Sequence, residues 1–389
     1  MMRVFVNGIA ASAGGGLTYL RNVLPHLSAK EDVQTTVAID PSFRDQIPHL
    51  PNISYLESPA SYGAARRFLW EQFDLPTQIR AAKADCLLSA GNFAVKNSPV
   101  PQVLLSGNSL YLSQDFRRDL RGRWEYKTLA GHYARTYLAK RSIAWADCTV
   151  APSQAFADDL HKWTSEKKIV TIHHGFDHEQ FFHDQGPLPA EVQKKLDAFP
   201  DATRLLFVSH YNYYRNFETL FRALPILRDK FGRDVKLFLT CSLEAKKNPG
   251  SYQVQRAVEL IQQLGIRESV IELGYIPNHL LHHVYSACHI YATASYAETF
   301  AHPLVEAMAS GLPIVASNLP VHQEICGKAA VYFDCFLPEE LAERISMIAN
   351  NPEISQQMSD AGEKCSHDFS WNKHIEELLA LMRSLADKS

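Results

Sequence analysis

Short apolar runs alternate along the chain with longer segments whose apolar positions return at helical spacing. Residues 3–7, 34–39, 54–56, 86–89, 102–105 and 148–151 read as strands in the first half, and 204–209, 236–240, 270–273, 290–294 and 313–317 in the second. Strands that alternate with helices argue for βαβ units and doubly wound parallel sheets, so the chain is an α/β protein with two Rossmann-like patterns in series. Pro187, Pro189 and Pro200 among charged residues mark 184–203 as the linker between them. Domains of 1–185 and 200–368 are therefore expected.

Within this pattern, residues 290–333 are the densest in candidate chemistry. A strand leads into a polar loop holding Glu298, then a helix over 303–310, a strand over 313–317, and a turn leading to Glu324. Pro303 suits a first helical position and Gly311 suits the left-handed residue that follows a last turn. The helix is so short that its positive N-terminal end stays close to the loop at Glu298, Thr299, Phe300, Ala301 and His302, a place where an anion fits. Glu306 alone also reads as an acid complementing the helix dipole. Near the N-terminus, the run Gly14-Gly15-Gly16 joins the first strand to a helix over 17–27, again an arrangement in which bare N–H groups can approach a phosphate. Tyr19 stands where a full G-x-G-x-x-G would have its last glycine, so a plain flexible turn explains the run equally well.

Composition narrows the classes. With 389 residues, 46% hydrophobic and 21% charged, the chain is ordinary for a globular protein of two or three domains. No apolar run is long enough to span a membrane, and the N-terminal residues lack the pattern of a signal peptide. Seven scattered cysteines without C-x-x-C or zinc spacing fit buried thiols in a reducing cytoplasm. His173, His174 and His178, and likewise His279, His282 and His283, lack the companion ligands that a metal site needs. A net charge of −3 gives no field for nucleic acid. Residues 116–141 are the local exception: Arg117, Arg118, Arg121, Arg123, Lys127, Arg135, Lys140 and Arg141 are interleaved with Phe116, Trp124, Tyr126, Tyr133 and Tyr137. They form either a solvated helical face or a surface for anionic lipid or an anionic acceptor.

The motif S-x-x-E-x-F-x-x-P-x-x-E-A-M-A-x-G-x-P-I-V-A from Ser295 to Ala316 resembles the donor-site signature of family 4 retaining glycosyltransferases of the GT-B fold. Arg67-x-x-Trp70-Glu71-Gln72-x-x-Leu75-Pro76 is similar to a segment of bacterial members that build surface polysaccharides, mannosyl- and rhamnosyltransferases among them; as chemistry it is explained by an amphipathic helix ended by Pro76. Stretches at 146–153 and 175–181 resemble signatures that close the family's N-terminal domain. The resemblance implies two Rossmann-like domains facing each other across a cleft, with a last helix, about 372–389, crossing back to the first. It implies a nucleoside-diphosphate sugar as donor, no metal or other cofactor, and transfer of a hexose to an acceptor hydroxyl with retention. The acceptor would be a glycan or lipid-linked glycan, in a cytoplasmic enzyme that can contact the inner membrane face.

By the same resemblance, Glu306 would accept from the ribose diol and Glu298 from the transferred sugar. Gly15, Gly16, Arg215 and the loop from Thr299 to His302, with Leu304 in the following helix, would hold the diphosphate end, and Gly274-Tyr275 would lie beside the base. Two departures stand out. Where the family has G-R-x-x-x-x-K, this chain has Ser209, His210 and Arg215; arginine keeps the charge, whereas a neutral imidazole supplies one donor where guanidinium supplies five. Asn108 stands near a position where the family often has a histidine; it can hydrogen-bond an acceptor sugar but cannot take its proton. A glycoside hydrolase using Glu298 and Glu306, a sugar-nucleotide epimerase and a non-catalytic sugar-binding protein are the competing classes.

Overall fold

A computed structural model describes residues 1–10, 15–47, 49–58, 63–165, 168–248 and 252–388. The chain forms two compact units: residues 1–113, 120–175 and 370–389 make the first, and 114–119 with 176–369 the second.

In the first unit, strands β1 (Met2–Asn7), β2 (Val33–Ile39), β3 (Ile53–Glu57), β4 (Cys86–Ser89), β5 (Gln102–Leu105), β6 (Cys148–Ala151) and β7 (Ile169–Thr171) pair in parallel in the order β3-β2-β1-β4-β5-β6-β7. Alternate side chains of β1 serve opposite faces, as the strand period requires. Val4 and Val6 join a core with Leu20, Val23 and Leu24 of helix Gly15–Ser28, while Phe5 joins a second with Leu75 and Ile79. The helix begins at Gly15, so Gly15 and Gly16 are its first residues rather than part of a turn; Gly14 lies outside the described residues. Pro76 does not end the helix before it. Helix Ala64–Phe73 stops at Asp74, and Pro76 sits in the first turn of a new helix, Leu75–Ala81, where a missing N–H is harmless.

The last helix, Trp371–Ala386, supplies Trp371, Ile375, Leu378, Leu379 and Met382 to the same core as Val4 and Val6. Its His374 is held on both ring nitrogens: Nδ1 donates to the His173 carbonyl at 2.7 Å, which leaves Nε2 to accept from the Tyr19 hydroxyl at 2.9 Å. Burial pushes this imidazole down to about 4, so it stays neutral. Gly175 lies so close to Ser370 and Trp371 that a Cβ there would overlap their backbone.

The second unit repeats the plan with β8 (Thr203–Phe207), β9 (Val235–Leu239), β10 (Val270–Glu272), β11 (Ile290–Thr293), β12 (Ile314–Ser317) and β13 (Ala330–Phe333), all parallel, in the order β10-β9-β8-β11-β12-β13. β7 and β13 are strands that the apolar pattern did not disclose. Both lie at sheet edges and are only partly buried. The expected linker is not one. Helix Ala190–Asp197 buries Val192 and Leu196, and the division falls between Gly175 and Phe176 because Phe176 packs on Phe181 and His178 stacks on His367. Glu324 likewise sits on a helix, Pro320–Cys326, rather than in a turn.

Candidate functional site

In open parallel sheets, ligands bind beyond the carboxyl ends of the strands where the strand order reverses. In the second unit that point lies between β8 and β11, which pair through Leu205–Ile290 and Leu206–Tyr291. The loop after β8 carries Ser209, His210 and Arg215; the loop after β11 carries Ser295 and Glu298. Residues far apart in sequence are thus brought together by topology.

Arg215 ends a short turn, Tyr213–Arg215, capped by Asn212, whose Oδ1 accepts from the Arg215 N–H at 3.2 Å. Asn216 then takes the left-handed conformation, φ 52°, and starts helix Phe217–Phe231. The guanidinium forms an ion pair with Glu298, donates to Ser295 Oγ at 3.4 Å, and lies 5.2 Å from the Tyr214 ring. Both partners of the pair are mostly covered, the side chains being 17% and 8% exposed. Behind them runs a chain of hydroxyls that the motifs gave no reason to expect. Ser295 Oγ is 3.1 Å from Thr293 Oγ1, Ser317 Oγ donates to the Ser295 carbonyl, and His322 Nδ1 donates to the Ser317 carbonyl at 2.9 Å. His322 is fully buried and pushed down to about 4, first by burial.

His210 is also lowered, by burial and then by the Arg215 charge, so it faces the site as a neutral imidazole. Ser209 is engaged locally: its N–H donates to Thr240 Oγ1 at 3.2 Å and its hydroxyl to the His210 carbonyl at 2.8 Å. His210 also borders a cavity of about 1020 Å³ with Thr240, Ser242, Glu272, Gly274 and Tyr275. Gly274, at φ 82°, makes the turn that leaves the Tyr275 ring 74% exposed. Among the described residues that line this cavity, Arg215, Glu298 and Glu306 do not appear, and His210 does.

Helix His302–Ala309 starts one residue earlier than its proline predicts. Ala301 caps it in the left-handed conformation, φ 64°, a strained choice for a residue with a Cβ. Thr299 and His302 are half-buried at this end. Phe300 and Leu304 point inward, Phe300 packing on Phe369, so neither side chain is presented to a ligand. Glu306 is buried, and its Oε2 accepts from the Tyr285 hydroxyl at 2.8 Å. Burial pushes this carboxyl up to about 7, and the Tyr285 hydrogen bond restrains it.

In the first unit the order reverses between β1 and β4. Asn7 at the end of β1 donates through Nδ2 to Glu71 at 3.3 Å, and burial raises the Glu71 carboxyl. The motif around Trp70 thus places a carboxylate at the end of the sheet, a role invisible in its helical spacing. Asn108 serves the backbone of its own loop, where its Oδ1 accepts from the Leu110 N–H at 3.1 Å. In the basic stretch, Phe116 is buried, and Arg118 is paired with Asp115 at 2.8 Å and lies over the Phe336 ring. The five basic residues from Arg117 to Lys127 therefore do not form one free face. Trp124, Tyr126, Tyr133 and Tyr137 are exposed, the three tyrosines along one side of helix Tyr126–Trp145 with Lys140. Among the described residues, no group of three or more His, Cys, Asp or Glu is placed to hold a metal ion, and no helix is long and apolar enough to cross a membrane.

Two parallel sheets, each with a reversal point, and an acidic and a basic group paired at one of them define a protein of two Rossmann-like domains with a charged site. Across 100% of both chains the structure is similar to sucrose-phosphate synthase from Thermosynechococcus elongatus, at a TM-score of 0.77 and 18% identity. It is similar to Anabaena HepE, solved in complex with UDP-glucose, at 0.73 and 18% identity over 99% of this chain and 100% of that one. At such identities the likeness concerns the fold. Residues 13–180 match the family described as Glycosyltransferase Family 4, and 190–365 match Glycosyl transferases group 1. The chain belongs to the GT-B glycosyltransferases of the family 4 type. Relatives include a Haemophilus influenzae glycosyltransferase, 30% identical over 44% of this chain and 47% of its own, and the D-inositol 3-phosphate glycosyltransferase of Corynebacterium diphtheriae, 27% identical over 48% and 44%. The chain thus spans less than half the length of these two curated relatives.

Proposed function

We propose that the protein transfers a hexose from a nucleoside-diphosphate sugar to an acceptor hydroxyl with retention of configuration. The observation that carries this reading is the Arg215–Glu298 pair at the reversal point of the second sheet. A site that must bind a diphosphate beside a polyhydroxylated sugar needs a cation and a carboxylate side by side. Arg215 stabilises the departing diphosphate and the neutral His210 adds one hydrogen-bond donor; preorganised donors of this kind act where charge develops. Glu298, released from Arg215 when the diphosphate arrives, accepts from sugar hydroxyls, and Glu306 accepts from the ribose diol. Thr299, Ala301 and His302 offer backbone at the helix N-terminus, and Gly274-Tyr275 borders the base. Gly15, Gly16 and Asn108 keep the diphosphate and acceptor roles that the family resemblance gives them. No step in this scheme calls on a metal or other cofactor.

Support for a nucleotide-sugar donor comes from the neighbour bound to UDP-glucose, and relatives named for sugar transfer support the reaction class. For the acceptor we favour a glycan carried on a lipid at the cytoplasmic membrane face. The stripe Tyr126, Tyr133 and Tyr137 with Lys140, flanked by Trp124, Arg121 and Lys127, has the amphipathic aromatic and basic character that sits at an anionic bilayer surface. The decisive experiment incubates the protein with UDP-, GDP-, dTDP- and ADP-sugars and lipid-linked or soluble glycan acceptors. Release of nucleoside diphosphate and an acceptor product whose anomeric configuration matches the donor support the proposal. Cleavage of a glycan without nucleotide, interconversion of donors without acceptor, or binding without release of diphosphate would each replace it with another class.

A further inference from the structure

Tyr285 lies on helix Leu281–Ser286, outside every motif that marks the site, and is fully buried. Its hydroxyl has two acceptors in reach, Glu306 Oε2 at 2.8 Å and the Pro303 carbonyl at 3.2 Å. The shorter bond goes to the carboxylate. A phenol ring packed on all sides cannot swing away, so this O–H is fixed on one oxygen of Glu306 and sets the plane of its carboxylate. From this geometry we propose that Tyr285 is a positioning residue: its hydroxyl holds Glu306 oriented and ionised so that both carboxylate oxygens can accept from the ribose diol. The inference rests on the proposed role of Glu306 in donor binding.

The physical need is clear. A carboxylate in this surrounding is desolvated, and burial alone favours its protonated form, which has an O–H where the diol requires an acceptor. The Glu306 carboxyl lies at about 7, raised by burial and lowered by the Tyr285 hydrogen bond. Other titratable groups nearby offer no substitute. Tyr291 of β11 is a phenol whose own ionisation the Glu306 charge opposes. His322 and Cys326 on helix Pro320–Cys326 and Cys365 on helix Pro352–Ser366 are not sources of the Glu306 shift, and Glu363 and Lys364 of that last helix are exposed. Tyr285 is the one donor that lowers it among the described residues.

The test is donor affinity against pH, measured by calorimetry on the full chain with UDP-glucose and GDP-mannose, whose diphosphate diesters do not titrate near neutrality. In the wild type, affinity should fall as pH drops through about 7, by about tenfold for each unit below the inflection. Tyr285→Phe should move the inflection upward, weakening binding at neutral pH by about tenfold if the shift is near one unit, with affinity restored in alkaline buffer. Glu306→Gln should remove the inflection and leave only the titration of His210, which lies on the acid side. Loss of affinity in Tyr285→Phe that is equal at every pH, or an inflection that does not move, overturns the role of Tyr285 while leaving Glu306 in place. Wild-type affinity and an unchanged profile in Glu306→Gln overturn the reading of Glu306 itself. Should Tyr285→Phe not fold, 3-fluorotyrosine at 285 gives the opposite sign: a stronger donor should move the inflection down, and an unmoved inflection refutes the proposal.

Discussion

Removing Arg215 and Glu298 singly and together measures how far the site holds itself together without a donor. Both side chains are largely shielded from water, so each single alanine variant strands a charge. Breaking a fully buried pair from one side costs about 3–5 kcal/mol. Here the arginine keeps 17% exposure and the Ser295 hydroxyl, so Glu298→Ala should cost less, about 2 kcal/mol, and Arg215→Ala about 3 kcal/mol. With both removed no charge is stranded, and the double variant should cost about 2 kcal/mol less than the sum of the singles. In a unit of this size each 1 kcal/mol moves the melting temperature by roughly 2–4 °C, within reach of scanning calorimetry on the full chain. Additivity within about 0.5 kcal/mol would refute the claim that the two groups are energetically coupled. The same variants divide binding from chemistry: Arg215→Ala should lower kcat far more than it raises the donor KM, and Arg215→Lys should recover part of the rate. Normal turnover in folded Arg215→Ala would remove this residue from the mechanism.

The buried imidazoles of His322 and His374, one in each unit, are both held at about 4, below an ordinary histidine. Their contribution to stability is present above about pH 6.5 and is lost as pH falls toward 4, by roughly 3 kcal/mol each; an unchanged acid slope of the melting temperature in folded His374→Gln would contradict this. Glu306 acts in the opposite direction: its folded value of about 7 means that donor-free stability falls as pH rises from about 4.5 through 7, and Glu306→Gln should flatten that limb. Gly175→Ala should destabilise the first unit by more than about 3 kcal/mol, because its Cβ overlaps rigid backbone at residues 370–371, and a native melting curve would show that the last helix can shift to make room. Tyr126→Ser with Tyr133→Ser and Tyr137→Ser should weaken co-sedimentation with anionic vesicles while preserving donor affinity in solution; equal sedimentation with anionic and neutral vesicles would exclude the membrane surface.

Sequence pattern discloses the two sheets because their central strands are continuous apolar runs, as sheets covered on both faces demand. Edge strands β7 and β13 are only partly buried, although Ala330–Phe333 is itself an apolar run. Arg215, Glu298 and Glu306 are visible through spacing and family likeness. Tyr285, the hydroxyl chain through Ser295 and Ser317, and the Asn7–Glu71 contact are not, because their partners are set by how helices and strands pack rather than by neighbours in sequence. The positive backbone angle of Ala301 escapes notice for a different reason: glycine or asparagine is the signal for that conformation, and alanine gives none. Composition does not show that Arg118 of the basic stretch is paired with Asp115 and lies over Phe336, since charge in a sequence does not say which residues are already engaged.

Trp371, Ile375, Leu378, Leu379 and Met382 complete a core whose other walls are built from residues between Val4 and Ile172. During synthesis, the amino-terminal sheet must wait for almost the whole chain before that wall is closed. Until residues 371–382 emerge from the ribosome, Val23, Leu24, Val4 and Val6 present an apolar surface that chaperones or neighbouring nascent chains can seize. The second unit, continuous but for residues 114–119, is under no such delay with respect to its sheet. A chain stopped before residue 371 would therefore carry all seven strands of the first sheet without the helix that completes its core.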